Sequence, residues 1–308
     1  MYGRADDGRG RQQQASIDVS WDSPLRKAVG IISFTFLLAG CTNVFLQPSR
    51  RLYLRPEAVG ARWEEARFKS ADGTGLTGLW FPASREPAKG VVVHFHGNAQ
   101  NMTSHFVAVW WLALEGWHVL AFDYRGFGAS EGDKDLDGSV ADGAAALAYA
   151  RGRAPGLPLV VFGQSLGGAL ALASLEADGG EGLAALVLES TFSSYIGIAR
   201  DKLKLWWLTR PIRGPLAYAF VSDRQRPSRL AARRKPVPLA VLHAPEDPVV
   251  PYDQGRFLYK AAAGPKEWWE VPRGHAEAFT TFGPEYRPRL LRFLDAAVKS
   301  HSPHASAD

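Results

Sequence analysis

Short apolar runs alternate with longer mixed segments along most of the chain. The runs rich in leucine and β-branched residues lie at 90–95, 117–123, 158–162, 183–189 and 237–243, and three further strands are predicted at 63–69, 78–81 and 266–271. The segments between them have helical composition at 102–115, 140–151, 166–176 and 284–298. Repeated strand–helix units predict an α/β fold, with a mainly parallel twisted sheet and helices on both faces.

One connection breaks this rhythm. Residues 191–236 form an insertion too long for a simple loop, and helical spacing near 196–208 predicts a helical cap over the site. Residues 200–235 hold 11 Lys and Arg against 2 Asp, a local charge of +9, whereas the whole chain carries +5. Apolar residues are interleaved with these cations: Leu203, Leu205, Trp206, Trp207, Leu208, Pro211 and Ile212. This mixture suits a membrane surface or an anionic amphiphile; a solvated charged cap over an acyl pocket is the alternative.

Residues 1–41 are expected to lie outside the fold. Arg26 and Lys27 precede a short apolar run at 28–39, and the sequence Leu-Ala-Gly-Cys ends at Cys41, the only cysteine. These are the parts of a secretory signal, and the apolar run is too short to span a bilayer comfortably. The last four residues resemble the lipobox of bacterial lipoproteins, in which the cysteine is acylated and becomes the new N-terminus.

The lipobox resemblance predicts a lipid anchor at Cys41 and a place in the bacterial cell envelope. Thr42, where aspartate would favour retention, points to the periplasmic side of the outer membrane. A signal anchor in the inner membrane or a buried helix is the alternative. The polar segment before Arg26 is long for a signal peptide, and translation starting downstream of Met1 would account for it.

Composition narrows the remaining classes. Residues 42–308 are long enough for one large core, and 46% of the whole chain is hydrophobic. Zinc-finger spacing and a phosphate-loop glycine pattern are both missing from the sequence. The sequence therefore predicts one globular domain with no metal, no cofactor and no nucleic-acid partner.

A candidate nucleophile lies between a strand and a helix. Residues 163–167 read Gly-Gln-Ser-Leu-Gly, after the apolar run at 158–162 and before the helical segment at 166–176. The pattern G-x-S-x-G in this context predicts a nucleophile elbow, with the hydroxyl oxygen of Ser165 projecting above the sheet. The pattern alone arises by chance in glycine-rich turns, so the context is what carries the prediction.

A serine hydroxyl needs a base, and that base needs an orienting acid. Hydrolases with this elbow place the acid and then the histidine after the serine along the chain. Asp247 follows the strand at 237–243 and His275 follows the strand at 266–271, so both lie at the edge where such sheets bind ligands. Glu246 competes with Asp247 for the role of acid.

Oxyanion donors are expected from two backbone segments. One is the N–H of Leu166, and the other is an N–H in the loop after the strand at 90–95, with Asn98 as the candidate. His94 and His96 of this loop form a metal pair only with further ligands, which the pattern does not supply, so a loop-shaping role is expected. Asp123 precedes Ser165 and is interpreted as part of a structural loop.

Together these motifs resemble the α/β-hydrolase superfamily, and within it bacterial hydrolases of serine aminopeptidase-like or lysophospholipase-like type. The motifs are His96-Gly97-Asn98, Asp123-Tyr124-Arg125-Gly126, Gly163-Gln164-Ser165-Leu166-Gly167, Asp247 with Val250-Pro251, and Gly274-His275. The resemblance covers residues 45–300 and implies Ser165 as nucleophile, Asp247 as acid and His275 as base, with Leu166 and Asn98 as oxyanion donors. Ala244 departs from the glycine frequent in the family, at a position that is not catalytic.

The expected activity is cleavage of carboxylic esters through an acyl-enzyme, with a small acyl ester or a lipid-like molecule as substrate. One fold hosts many functions, so the motifs do not specify that substrate. A serine peptidase of the same fold stays open, although carboxylates that would bind a free amino terminus are not identifiable. A membrane-tethered binding protein with an inactive site also stays open, and the intact set of three residues argues against it.

Overall fold

The computed structural model describes residues 42–203 and 209–301. Eight strands form one sheet: β2 (Glu64–Lys69), β3 (Gly75–Phe81), β4 (Gly90–Phe95), β6 (Trp117–Phe122), β7 (Leu159–Gln164), β8 (Leu183–Glu189), β9 (Leu239–His243) and β10 (Lys266–Glu270). Their spatial order is β10-β9-β8-β7-β4-β6-β3-β2. The six strands from β10 to β6 are parallel, and β3 and β2 add antiparallel pairs at one edge. The predicted α/β class is confirmed.

The described α-helices are α1 (Met102–His105), α2 (Leu136–Arg153), α3 (Leu166–Asp178), α4 (Tyr195–Leu203), α5 (Arg213–Phe220), α6 (Pro227–Arg233), α7 (Tyr252–Ala261) and α8 (Gly283–His301). The single helix expected at 102–115 is wrong in detail, because 3-10 turns at Phe106–Ala108 and Trp110–Glu115 follow the short α1. Aromatic and β-branched side chains in this stretch weaken its preference for a regular α-helix. Helix α2 begins earlier than expected because the Asp135 carboxylate caps it, accepting the N–H of Gly138.

The core has two layers, one on each face of the sheet. Strand β4 shows the division: Val91, Val93 and Phe95 pack in one layer with α2 and α3, whereas Val92 packs in the other with α8. Successive side chains of a strand point to opposite faces, so a strand buried on both faces is apolar throughout. This is why the central strands appear in the sequence as continuous apolar runs.

The insertion predicted at 191–236 lies between β8 and β9 and contains α4, α5 and α6. Leu205, Trp206, Trp207 and Leu208 of the predicted cap lie outside the described residues, as does Cys41. Across residues 42–203 and 209–301, no helix combines the length and the apolar character needed to cross a bilayer.

The segment after residue 41 packs into the domain, although its sequence predicts no strand or helix. A 3-10 turn at Thr42–Phe45 precedes β1 (Gln47–Pro48), which pairs in parallel with the short β5 (Ala99–Gln100). Leu46 is fully buried, and the ring of Phe45 lies 5.5 Å from the ring of Tyr195 in α4. The chain therefore joins the core within a few residues of Cys41.

Candidate active site

Ser165 occupies a tight turn between β7 and α3. Its backbone has φ 53° and ψ −121°, a conformation that side-chain-bearing residues rarely adopt, and the residue is buried. A Cβ atom on Gly167 would lie 2.1 Å from the carbonyl oxygen of Phe95, and one on Gly168 would lie 2.0 Å from Oγ1 of Thr191. The glycines of the motif are therefore required by close packing around this turn.

The structure brings Asp247 and His275 together. Nδ1 of His275 lies 2.8 Å from Oδ2 and 2.9 Å from Oδ1 of Asp247. Oδ1 also accepts the backbone N–H groups of Val249 (2.8 Å) and Val250 (2.9 Å), so the carboxylate is held from two sides. Glu246, the competing acid, is exposed.

These contacts set the electrostatics of the pair. Burial alone would raise the pKa of Asp247, but the hydrogen bond and charge of His275 and the two backbone N–H groups lower it below its ordinary value. Asp247 is therefore ionised at neutral pH. An ionised carboxylate on Nδ1 keeps the proton there and leaves Nε2 of His275 able to accept a proton.

The loop after β4 lies against the nucleophile turn. A Cβ atom on Gly97 would lie 3.8 Å from Cβ of Ser165, which places the neighbouring Asn98 at the same edge. The Asn98 carbonyl accepts the N–H of Gln47 from β1 at 2.8 Å, which ties this loop to the N-terminal segment. Leu166, the other candidate donor, is the first residue of α3, whose N-terminus favours negative charge.

Among the described residues, no hydrogen bond joins the Ser165 hydroxyl to His275. Such bonds are often long without substrate and tighten in the complex.

The other polar residues singled out in the sequence are tied into the scaffold. Oδ1 of Asp123 accepts the N–H of Met102 at 2.6 Å and lies 3.3 Å from Nε2 of the buried His96. Nε2 of His94 lies 2.9 Å from Oε1 of Gln164. Burial, with a smaller contribution from the charge of His105, lowers the pKa of His94 to about 3, so this imidazole is neutral.

Sequence reasoning missed two residues at the end of β8. Glu189 is a buried carboxyl group, and its Oε2 accepts an N–H of the Gln164 side chain at 2.9 Å. Ser190 follows it with φ 52°. The available signal was a glutamate closing an otherwise apolar run at 183–189, since a strand buried on both faces seldom ends in a carboxyl group.

Comparison with known proteins identifies the relatives of this chain. A family model described as serine aminopeptidase, S33, matches residues 86–217. The uncharacterized protein YfhR of Escherichia coli O157:H7 is 34% identical over 291 residues, covering 89% of this chain and 98% of that protein. The lysophosphatidylserine lipase ABHD12 of Danio rerio is 28% identical over 286 residues, covering 85% of this chain and 70% of that protein.

A solved structure shows the same fold at lower identity. The esterase Pf2001 of Pyrococcus furiosus superposes with a TM-score of 0.67 at 20% identity, covering 82% of this chain and 98% of that one. The identity and coverage shared with YfhR, together with the sheet order and the strained serine turn, show that the chain belongs to the YfhR family of α/β-hydrolases.

Proposed function

We propose that the protein is a serine hydrolase that cleaves carboxylic esters through an acyl-enzyme. The observation that carries the proposal is the pairing of the His275 imidazole with the buried Asp247 carboxylate at the edge of the sheet where Ser165 occupies its strained turn. ABHD12 is a lysophosphatidylserine lipase and Pf2001 is an esterase, and this likeness supports an ester as the substrate class here.

The proposed reaction has two stages. Oγ of Ser165 attacks the acyl carbon while Nε2 of His275 takes its proton, and the imidazolium then returns that proton to the departing alcohol. Water attacks the resulting acyl-enzyme with His275 again as base, and the carboxylic acid leaves. Asp247 stabilises the imidazolium in both stages, and the N–H groups of Leu166 and Asn98 stabilise the oxyanion.

A panel of p-nitrophenyl esters from acetate to palmitate tests the reaction, beside an aminoacyl p-nitroanilide and with Ser165→Ala as control. Ester hydrolysis lost in the variant is the expected result. Hydrolysis of the anilide alone would replace the proposal with a peptidase. A fluorophosphonate probe that fails to label Ser165 would favour a binding protein over an enzyme.

We further propose that the natural substrate is an anionic amphiphile of lysophospholipid type. A cavity of about 550 Å³ lies between the insertion and α7; its lining does not include Ser165, Asp247 or His275, and we assign it to the charged end of the substrate. Three cations, Arg200, Arg226 and Lys260, line it with a single carboxylate, Asp223, which lies 3.8 Å from Arg226. Two exposed aromatic rings lie at the same cavity and offer apolar contact: Tyr218 and Phe257. Cationic groups beside aromatic rings suit a phosphate ester attached to an apolar chain.

Charge removal in the cavity tests this substrate class. The double variant Arg200→Gln/Lys260→Gln should raise KM for lysophosphatidylserine about tenfold, because two partly exposed charge contacts contribute about 1.4 kcal/mol together. KM for an uncharged monoacylglycerol should not change. The matched control Arg292→Gln/Lys299→Gln removes the same charge from α8. Equal effects of the two double variants, or equal effects on both substrates, would contradict the proposal.

For location, we propose that a lipid on Cys41 tethers the domain to the bacterial outer membrane. Incorporation of labelled palmitate into the full chain, abolished by Cys41→Ser, is the expected result. Membrane retention of an unlabelled protein would replace the lipid with a signal anchor.

A further inference from the structure

The end of β8 is the meeting point of the three catalytic segments. The backbone N–H of Ser165 donates to the carbonyl oxygen of Glu189 at 2.8 Å. The N–H of Ser190 donates to the carbonyl oxygen of Leu242 at 2.8 Å, near the end of β9, from which the chain leads to Asp247. Two adjacent residues thus fix the position of the nucleophile relative to the strand that carries the acid.

The side chains of the same two residues hold the base loop, defined as residues 271–278. The N–H of Ala276 donates to Oγ of Ser190 at 3.1 Å, and the N–H of Ala278 donates to Oε1 of Glu189 at 2.7 Å. Ala276 has φ 58°, a left-handed conformation that alanine rarely adopts. The hydrogen bonds therefore hold a strained segment directly after His275.

Burial of the Glu189 carboxyl group carries a large desolvation penalty. Its carboxyl accepts hydrogen bonds from Gln164 and Ala278, and no Lys or Arg of the described chain forms an ion pair with it. Burial raises its pKa to about 7, although those hydrogen bonds partly offset the effect. An apolar side chain at this position would avoid the cost of burial, so fold stability alone does not account for a carboxyl group here.

We propose that Glu189 and Ser190 are positioning residues that hold the imidazole of His275 in line with Ser165 by binding the amides of Ala276 and Ala278. This inference rests on the proposed function, because it requires His275 to act as the base for Ser165. Displacement of a catalytic group by about 1 Å costs up to hundredfold in rate. The anchoring of the base loop is therefore expected to govern kcat and to leave KM nearly unchanged.

Three variants test the contacts. Glu189→Met removes the acceptor for Ala278, and Ser190→Ala removes the acceptor for Ala276. Glu189→Gln keeps an acceptor oxygen for the N–H of Ala278, and its NH2 group can bond the oxygen of Gln164 once the Gln164 amide turns over. It should therefore restore what Glu189→Met loses. Ser174→Ala is the matched control, because it deletes a buried hydrogen bond from Ser174 to the Val140 carbonyl in the α2–α3 layer of the core.

The readouts are kcat and KM for a p-nitrophenyl ester, the rate of fluorophosphonate labelling at Ser165, and thermal unfolding. We expect Glu189→Met and Ser190→Ala to lower kcat and the labelling rate about 10- to 100-fold with KM within twofold, and Glu189→Gln and Ser174→Ala to stay close to wild type.

Folded Ser190→Ala and Glu189→Gln variants remain informative if Glu189→Met does not fold. Wild-type labelling rates in Ser190→Ala and Glu189→Met would overturn the positioning role, and so would a Glu189→Gln variant as slow as Glu189→Met. A wild-type protein that is not labelled at Ser165 would remove the proposed function itself, and this outcome is distinct from the other two.

Discussion

Asp247→Asn is the most direct test of how the proposed acid acts. In the structure, Oδ1 of Asp247 accepts two backbone N–H groups, from Val249 and Val250. Nδ1 of His275 lies 2.8 Å from Oδ2, the oxygen that accepts neither of these N–H groups, and 2.9 Å from Oδ1. An asparagine must keep its oxygen toward the two N–H groups, because turning the amide would set donors against donors. Its NH2 group then faces His275 and donates to Nδ1. The imidazole proton is thereby displaced to Nε2, where it blocks proton acceptance from Ser165.

The cost follows from the bonds that the active tautomer would have to give up. One charge-assisted hydrogen bond at Nδ1 contributes about 2–3 kcal/mol, and a buried donor left facing another donor costs about 1–3 kcal/mol. Together these lower kcat by about 10²- to 10⁴-fold, since each 1.4 kcal/mol or so is tenfold in rate. The substrate-binding surface does not change, so KM should stay within a few-fold of wild type.

The assay is steady-state hydrolysis of a p-nitrophenyl ester, with Ser165→Ala to give the background rate. Glu246→Gln is the matched control, because it neutralises the neighbouring exposed carboxylate and should keep wild-type kcat. An Asp247→Asn variant within tenfold of wild type, in a folded protein, would refute the tautomer argument. Loss of activity in Glu246→Gln, with activity kept in Asp247→Asn, would assign the role of acid to Glu246 in place of Asp247.

Three further predictions concern stability. Arg125→Met should lower the free energy of unfolding by about 3–5 kcal/mol, because it leaves the buried Asp142 without its guanidinium partner. Arg224→Met, which breaks the exposed ion pair with Asp137, should lower it by less than about 1 kcal/mol, and urea denaturation measures both variants. Gly168→Ala should reduce the yield of folded protein or lower Tm by several degrees, measured by circular dichroism, because its Cβ would lie 2.0 Å from Oγ1 of Thr191. The pKa of about 7 at Glu189 lies above the ordinary 4.5, so the folded protein keeps a proton that the unfolded chain releases. Relative to Glu189→Gln, the free energy of unfolding of the wild type should therefore fall by about 3 kcal/mol from pH 4.5 to 7, measured by urea titrations of both proteins at each pH.

Local patterns were sufficient to predict much of the fold and the candidate site. The apolar runs predicted the strands because a strand buried on both faces leaves a continuous apolar signal. Ser165, Asp247 and His275 were identified because each follows a strand end in a fixed chain order. These features depend on neighbours in sequence, so a single chain is enough to recognise them.

The contacts made by Glu189 and Ser190 could not be predicted in the same way. Their partners at Ala276 and Ala278 lie more than 80 residues away and become neighbours only through the spatial order of β8, β9 and β10. The pairing of β1 with β5 was missed for a similar reason, since a two-residue strand has no periodicity. The 3-10 turns after α1 were missed because the apolar spacing there is helical, whereas the aromatic and β-branched side chains weaken the preference for a regular α-helix.

Leu46 is buried and Phe45 is half-buried only a few residues after Cys41, and this closeness would restrict the movement of the domain if Cys41 is acylated. Only about four residues would separate the lipid from the core, and a linker of that length spans at most roughly 15 Å. A domain attached through so short a linker cannot rotate freely relative to the bilayer. Phe45 packs on Tyr195 at the start of α4, and α4 also contributes Arg200 to the cavity between the insertion and α7. Such an enzyme would sample lipids lying within its own diameter and would depend on their lateral diffusion for its supply of substrate.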